Sequence, residues 1–257
     1  MRHRGIAPTL VGVLMTLGFG MVAPGTALAD THPVNGPCNG AYQNTQAGAT
    51  LNHTATGGEI KIETWNPSLC NTVDSPVLNG EFSWVGVQIA GSGNAIVQIG
   101  VGKCNYPSYP MCDGGYHIFY AWGRQSGYGT CTSTVAAVPH SLGAVPSGSH
   151  TYTVYRTGAT VTFLLDGSTI ESISASNVSC WNGTSVAYDG EVWDHGDQMG
   201  GSFGDHQSFT AALYQATASG SWASPNFSSC NTPNNDPGVY DCSRISGNAV
   251  DIWTDRG

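Results

Sequence analysis

Between Thr151 and Ile173 the chain keeps a two-residue rhythm. Tyr152, Val154, Val161 and Phe163 mark two short apolar–polar alternations that break at Thr157-Gly158. Phe163-Leu164-Leu165 then runs into Asp166-Gly167, and Ser168 to Ile173 resumes the alternation. Successive side chains of a strand point to opposite faces, so this period belongs to half-buried strands. Asp-Gly between two apolar runs is a strong hairpin signal, because its tight turn needs two residues that tolerate positive φ. Similar patterns predict strands at 58–64, 80–90, 95–102, 117–122, 185–193 and 208–215. No helical period persists for three turns past residue 30. Glycine fills 35 positions and charged residues only 10% of the chain, which suits short strands joined by tight turns. The expected fold is all-β: a two-sheet antiparallel sandwich or lectin-like jelly roll.

The N-terminus sets the compartment. Arg2 and Arg4 precede an apolar stretch from Ile6 to Val22, and Ala27-Leu28-Ala29 supplies a small-residue cleavage pattern before Asp30. Residues 1–29 are therefore read as a removed signal peptide, and 30–257 as a single secreted β-sandwich domain. No later stretch reaches the roughly 18 unbroken apolar residues of a spanning helix, so no membrane association is expected after cleavage. Eight cysteines (38, 70, 104, 112, 131, 180, 230 and 242) follow the signal, none of them in a CxxC pair. An even count in an exported chain reads as disulfides rather than a zinc site. Proximity suggests Cys104 with Cys112 and Cys230 with Cys242. Removing Arg2 and Arg4 leaves six basic against seventeen acidic residues, a formal −11. Neither nucleic-acid nor anionic-lipid binding fits that charge. The stretch 30–56 reads as a polar lead-in or outer strand, and 219–237 as a long surface loop pinned by Cys230. A monomer is expected.

The usual hydrolase signatures are missing: no GxSxG, no HExxH and no phosphate-cradling loop. No local pattern links a Ser, a His and an Asp as a triad. His195, Asp197, Asp205 and His206 cluster in sequence, but such groups on glycine-rich loops are more often solvated than metal-bound, and neither metal nor cofactor is expected. Two other segments stand out. Trp84-Val85-Gly86-Val87 is followed by Gln98-Ile99-Gly100-Val101, with Gln98 inside an otherwise apolar strand. Tyr188-Asp189-Gly190-Glu191-Val192-Trp193 places Glu191 and Trp193 on one strand face. In isolation Gln98 reads as a satisfied polar group, Glu191 as a surface carboxylate, and the tryptophans as core.

Together the segments resemble a known group. WVGV with QIGV at this separation is similar to the eqolisins, secreted glutamic peptidases with a catalytic Gln and Glu. Tyr116 to Trp122 falls where that family has an aromatic strand. Gly190 to Gly201, with Tyr120-Ala121-Trp122 and Gly127 to Cys131, is similar to the neprosins, which share the sandwich fold. The resemblance covers about 80–215. It implies a secreted endopeptidase with a polypeptide substrate, with Glu191 as general base and Gln98 as stabiliser of the tetrahedral intermediate. It also implies Trp84, Tyr120, Trp122 and Trp193 as substrate-binding residues. The chain departs from the pattern at Gln88 and Ala121, where acids are expected, and at Asp189, where neprosins tend to have Gly.

The chemistry stands without the family. A carboxylate can take a proton from water and return it to the leaving amine, while a carboxamide offers N–H donors to a developing oxyanion. The alternatives are a non-catalytic carbohydrate-binding module, suggested by seven Trp and eleven Tyr, and a peptidase-fold relic without activity. A glycoside hydrolase needs a second carboxylate about 5–9.5 Å from the first, and Asp189 shares the strand face of Glu191.

Overall fold

A computed structural model describes residues 38, 44–70, 79–194, 196–231 and 239–254. The signal segment 1–29 and His195 lie outside the described residues. In chain order the strands are β1 (Thr45–Leu51), β2 (Gly57–Glu63), β3 (Asn79–Gln88), β4 (Ile96–Asn105) and β5 (Asp113–Trp122). They continue with β6 (His140–Ala144), β7 (Ser149–Thr157), β8 (Thr160–Leu165), β9 (Ser168–Ser174) and β10 (Ser185–Val192). The C-terminal part adds β11 (Gly201–Ser202), β12 (Asp205–Gln215), β13 (Trp222–Ala223), β14 (Tyr240–Ser246) and β15 (Ala249–Thr254). A single 3-10 turn, Ala175–Asn177, is the only helical element among the described residues.

The strands form two sheets. One runs β1-β10-β3-β4-β5-β6, antiparallel throughout. The other runs β14-β15-β11-β12-β2-β7-β8-β9, with β15 also pairing β12 and β13 attached to β12. The expected hairpin is β8–β9, and its turn carries positive φ at both Asp166 (49°) and Gly167 (78°). That conformation is the reason Asp-Gly belongs there.

The main core lies between the sheets. Val85, Ile99, Val101, Val186 and Tyr188 meet Ile60, Ile62, Tyr152, Phe163, Phe209 and Ile252. A second apolar cluster covers the opposite face of the six-stranded sheet: Phe82, Trp84, Ile96, Phe119, Ala121, Ala187 and Trp193. That sheet is buried on both faces, so every residue of β10 is buried and the alternation along β3 and β10 is blurred.

Three features extend the expected layout. The polar lead-in contains β1, an outer strand laid against β10. Residues beyond 219 are not simply a loop: β13 pairs β12, and Asn231 bridges Gly48 of β1. The β14–β15 hairpin was not expected, because Asp241, Ser243, Arg244 and Ser246 make β14 read as polar.

Four disulfides close the fold. Cys104–Cys112 and Cys230–Cys242 are the two that proximity suggested, while Cys38–Cys70 and Cys131–Cys180 join more distant segments. Cys131–Cys180 spans 49 residues and Cys104–Cys112 only 8. Loop-closure entropy grows with span, so losing the longer bridge should cost about 4 kcal/mol and the shorter about 2.5 kcal/mol. Urea unfolding of Cys→Ser double variants checks this ordering. Equal losses would point to native-state effects instead.

Candidate active site

The outer face of the six-stranded sheet carries a cleft of about 730 Å³. Glu191 and Gln98 both line it, on β10 and β4, with Trp84 of β3 on the strand between them. The glycines of the two motifs follow from close packing. A Cβ on Gly86 would lie 3.0 Å from both Gln98 Cβ and the Trp84 ring, and one on Gly100 would lie 2.0 Å from the Ser83 carbonyl oxygen. Glycine there lets the indole lie against the sheet beside Gln98.

Glu191 is 8% exposed, yet its carboxylate is surrounded by donors. Asn44 Nδ2 (2.7 Å) and Trp193 Nε1 (2.8 Å) donate to Oε1. Trp84 Nε1 (3.1 Å) and Gln46 Nε2 (3.5 Å) donate to Oε2. All four donors are uncharged, and among the described residues no Lys, Arg or His lines the cleft. Burial raises the Glu191 pKa and the four N–H groups oppose it; the net position is above the usual 4.5. The result is a desolvated, oriented carboxylate with no counter-ion among the described residues, in contact with the cleft.

Asn44 and Gln46 had no signal in the sequence. They precede or begin an outer strand, and they reach Glu191 only because β1 pairs β10 with Gln46 opposite Glu191. Tyr120 and Trp122 need a correction. On β5 they share the parity of Tyr116 and Ile118 and pack into the inter-sheet core, where Tyr120 lies 4.9 Å from Phe163. The cleft-side residues of β5 are Phe119 and Ala121, and Ala121 stands opposite Gln98. Trp193 and Trp84 do line the cleft, and Trp193 packs 4.4 Å from Phe82.

Other expected clusters are dispersed. Asp197 is fully buried and accepts the backbone N–H of Cys70 (2.9 Å) and Gly80 (2.7 Å). Asp205 is exposed, and His206 stacks on Trp253 at 3.8 Å, while His195 lies outside the described residues. Cys38, Cys70 and Asp194 approach one another, but both sulfurs are consumed in a disulfide. The neprosin-like turn Met199-Gly200-Gly201 braces the back of β10, with Met199 against Gly190. A non-local Ser–His–Asp chain does exist, which the absence of a local pattern left unread. Ser141 Oγ meets His117 Nδ1 (3.0 Å), and His117 Nε2 meets Asp113 (2.9 Å). Its Asp113 side chain is 61% exposed, it lies outside the cleft, and it braces the bulge between β5 and β6.

Between β3 and β12 sits a buried polar cluster. Ser83 Oγ lies 2.6 Å from Glu81 Oε1 and 2.7 Å from Gln207 Oε1. Gln207 Nε2 donates to the Glu63 carbonyl, which fixes the amide with its oxygen towards Ser83. One hydroxyl proton cannot serve two acceptors, so Glu81 supplies the second as a neutral acid. Burial accordingly pushes the Glu81 pKa up to about 8. Burial first, then the Glu191 charge, raises Asp189 to about 8; burial raises Asp197 to about 7.

No protein-family model matches the sequence, and no curated protein matches it. Two solved structures share its architecture. Scytalido-glutamic peptidase, solved with a transition-state analogue inhibitor, superposes with a TM-score of 0.52 at 18% identity, over 83% of this chain and 100% of that one. SCP-B, an eqolisin-family peptidase in complex with the tripeptide Ala-Ile-His, gives 0.50 at 17% identity with the same coverage. The fold is that of the eqolisins. Within that fold, the cleft of this chain lies on the outer face of the six-stranded sheet.

The buried acids set a pH dependence of stability. Their folded pKa values lie above the ordinary 4.5 (Glu81) and 3.8 (Asp189, Asp197), so the native state binds more protons than the unfolded one between those limits and about 7–8. This stabilisation is complete below the unfolded values and is lost as pH rises through the folded ones. The thermal midpoint should therefore be highest in acid and fall towards neutrality, with Glu81→Gln flattening the decline. A midpoint that rises towards neutral pH would contradict the assignment.

Proposed function

We propose that this protein is a glutamic peptidase that hydrolyses peptide bonds of extracellular polypeptides. The observation that carries the reading is a buried carboxylate, Glu191, with no counter-ion among the described residues, lining one cleft with a carboxamide, Gln98, that makes no side-chain hydrogen bond to any of them. Support comes from the eqolisin fold and from the resemblance, read in the sequence, of the segments that carry Trp84, Gln98 and Glu191 to that family's motifs.

In this mechanism Glu191 takes a proton from a water as its oxygen bonds to the substrate carbonyl carbon. The Trp84 and Trp193 indoles hold the carboxylate in place. Gln98 Nε2 donates to the oxyanion that forms, an interaction worth about 3–4 kcal/mol by analogy with deleted oxyanion donors. The proton then passes from Glu191 to the amine nitrogen as the C–N bond breaks. The base must be ionised, so turnover falls as pH drops through the raised Glu191 pKa. On the other side, activity declines as Asp197 and Glu81 ionise and the fold weakens. A mildly acidic optimum follows.

The rival readings have less support. Sugar stacking needs exposed aromatic faces, but Trp84, Phe82 and Trp193 are buried in the cleft floor at 0%, 2% and 7% exposure. A glycoside hydrolase needs two carboxylates flanking the substrate. Asp189 lies beside Gly48 and Trp84 and is not part of the cleft lining, which leaves Glu191 as its one acid among the described residues. An inactive relic would not need to keep both Gln98 and the donor cradle of Glu191. Export fits the four disulfides, and no described helix is long and apolar enough to cross a membrane. The shared inter-sheet core supports treating 30–257 as one domain.

Digestion of denatured casein from strongly acidic to neutral pH tests the proposal. Glu191→Gln should lower kcat about 10²–10⁴-fold and Gln98→Ala about 10²–10³-fold, with both variants folded by circular dichroism. Undiminished digestion by either variant removes that residue from the mechanism.

A further inference from the structure

Five carboxamides line the cleft: Asn44, Gln46, Gln88, Asn94 and Gln98. Three are engaged. Asn44 and Gln46 donate to Glu191, and Asn94 Oδ1 accepts the Ala137 N–H. Gln88 and Gln98 make no side-chain hydrogen bond with any described residue, and both are partly exposed to the cleft.

Their placement is specific. Gly86 stands opposite Gln98, and Gln88 stands opposite Ile96, so the two glutamines are diagonal neighbours on one face of adjacent strands. Diagonal positions lie about 7 Å apart. An extended peptide repeats its orientation every two residues, at about 6.8 Å. A substrate strand whose scissile carbonyl sits at Gln98 therefore presents an equivalent peptide unit at Gln88. A primary carboxamide matches such a unit at both ends, donating to its C=O and accepting from its N–H.

We propose that Gln88 is a substrate-binding residue that grips the peptide unit two residues from the scissile bond, on the side away from Glu191. This rests on the peptidase reading above. It also sets the substrate class. With Glu191 as the one ionisable acid among the described lining residues and no cation beside it, recognition falls on the substrate backbone. The cleft should accept uncharged and charged side chains at that position alike.

The test uses a fluorogenic peptide series cleaved by the full-length mature protein, with each backbone N–H replaced in turn by N-methyl. In wild type, methylation two residues from the bond should raise KM about five- to tenfold, the scale of one or two lost hydrogen bonds. Gln88→Ala should raise KM similarly with kcat little changed, and methylation at that position should add nothing further. Gln98→Ala should instead lower kcat. Gln88→Asp should introduce a preference of about fivefold for Lys or Arg there, where wild type shows none. Additive effects of methylation and Gln88→Ala, or an unchanged KM, would overturn the proposal while leaving the peptidase reading intact. A folded wild type that cleaves no peptide would overturn both.

Discussion

The site depends on one costly arrangement: a carboxylate held out of water with no cation beside it among the described residues. Burying an unpaired charge is strongly unfavourable unless hydrogen bonds replace its hydration. Here Asn44, Gln46, Trp84 and Trp193 do so with N–H donors from three separate segments. Each donor needs its own support. The Trp84 indole needs Gly86 beside its ring, the Trp84 backbone needs Gly100 next to it, and Gln46 needs β1 in register with β10. β1 in turn is held on its outer side by the Asn231 bridge, next to the Cys230–Cys242 disulfide. Elements more than a hundred residues apart thus converge on two oxygen atoms.

The same economy explains the other buried acids around the site. Glu81, Asp189 and Asp197 sit where ionisation is expensive, and their backbone or hydroxyl partners do not neutralise a charge. Kept protonated they are hydrogen-bonding groups; ionised they repel one another and Glu191. An acidic medium therefore suits the fold and the proposed chemistry together. That coupling is not forced by the sandwich itself, because the inter-sheet core is otherwise apolar.

Much of this was legible in the sequence. Alternation and the Asp166-Gly167 turn point to paired strands, because side-chain direction and turn φ are local properties. The fold class and the hairpin follow from them. Tyr120 and Trp122 were assigned to the wrong side, since an aromatic-rich strand shows its period but not which face is the cleft. Asn44 and Gln46 were invisible because their role exists only through a non-local pairing. Glu81 carried no signal in the sequence, and its burial follows from β3 being covered on both faces. Glu191, Gln98 and Trp84 are singled out in the sequence by their motif order and its resemblance to the eqolisins, and all three line the cleft.

The central claim is that Glu191 is an ionisable base whose affinity for protons is set by burial against neutral donors. Its titration can be followed by difference infrared spectroscopy of the carboxyl stretch, wild type minus Glu191→Gln, alongside the acid limb of kcat/KM. The account expects one carboxyl signal titrating above the ordinary 4.5, coincident with that limb and shifted further upward in Trp84→Phe, which removes a donor. A Glu191 signal below 4.5, or an acid limb that does not track it, would contradict the account.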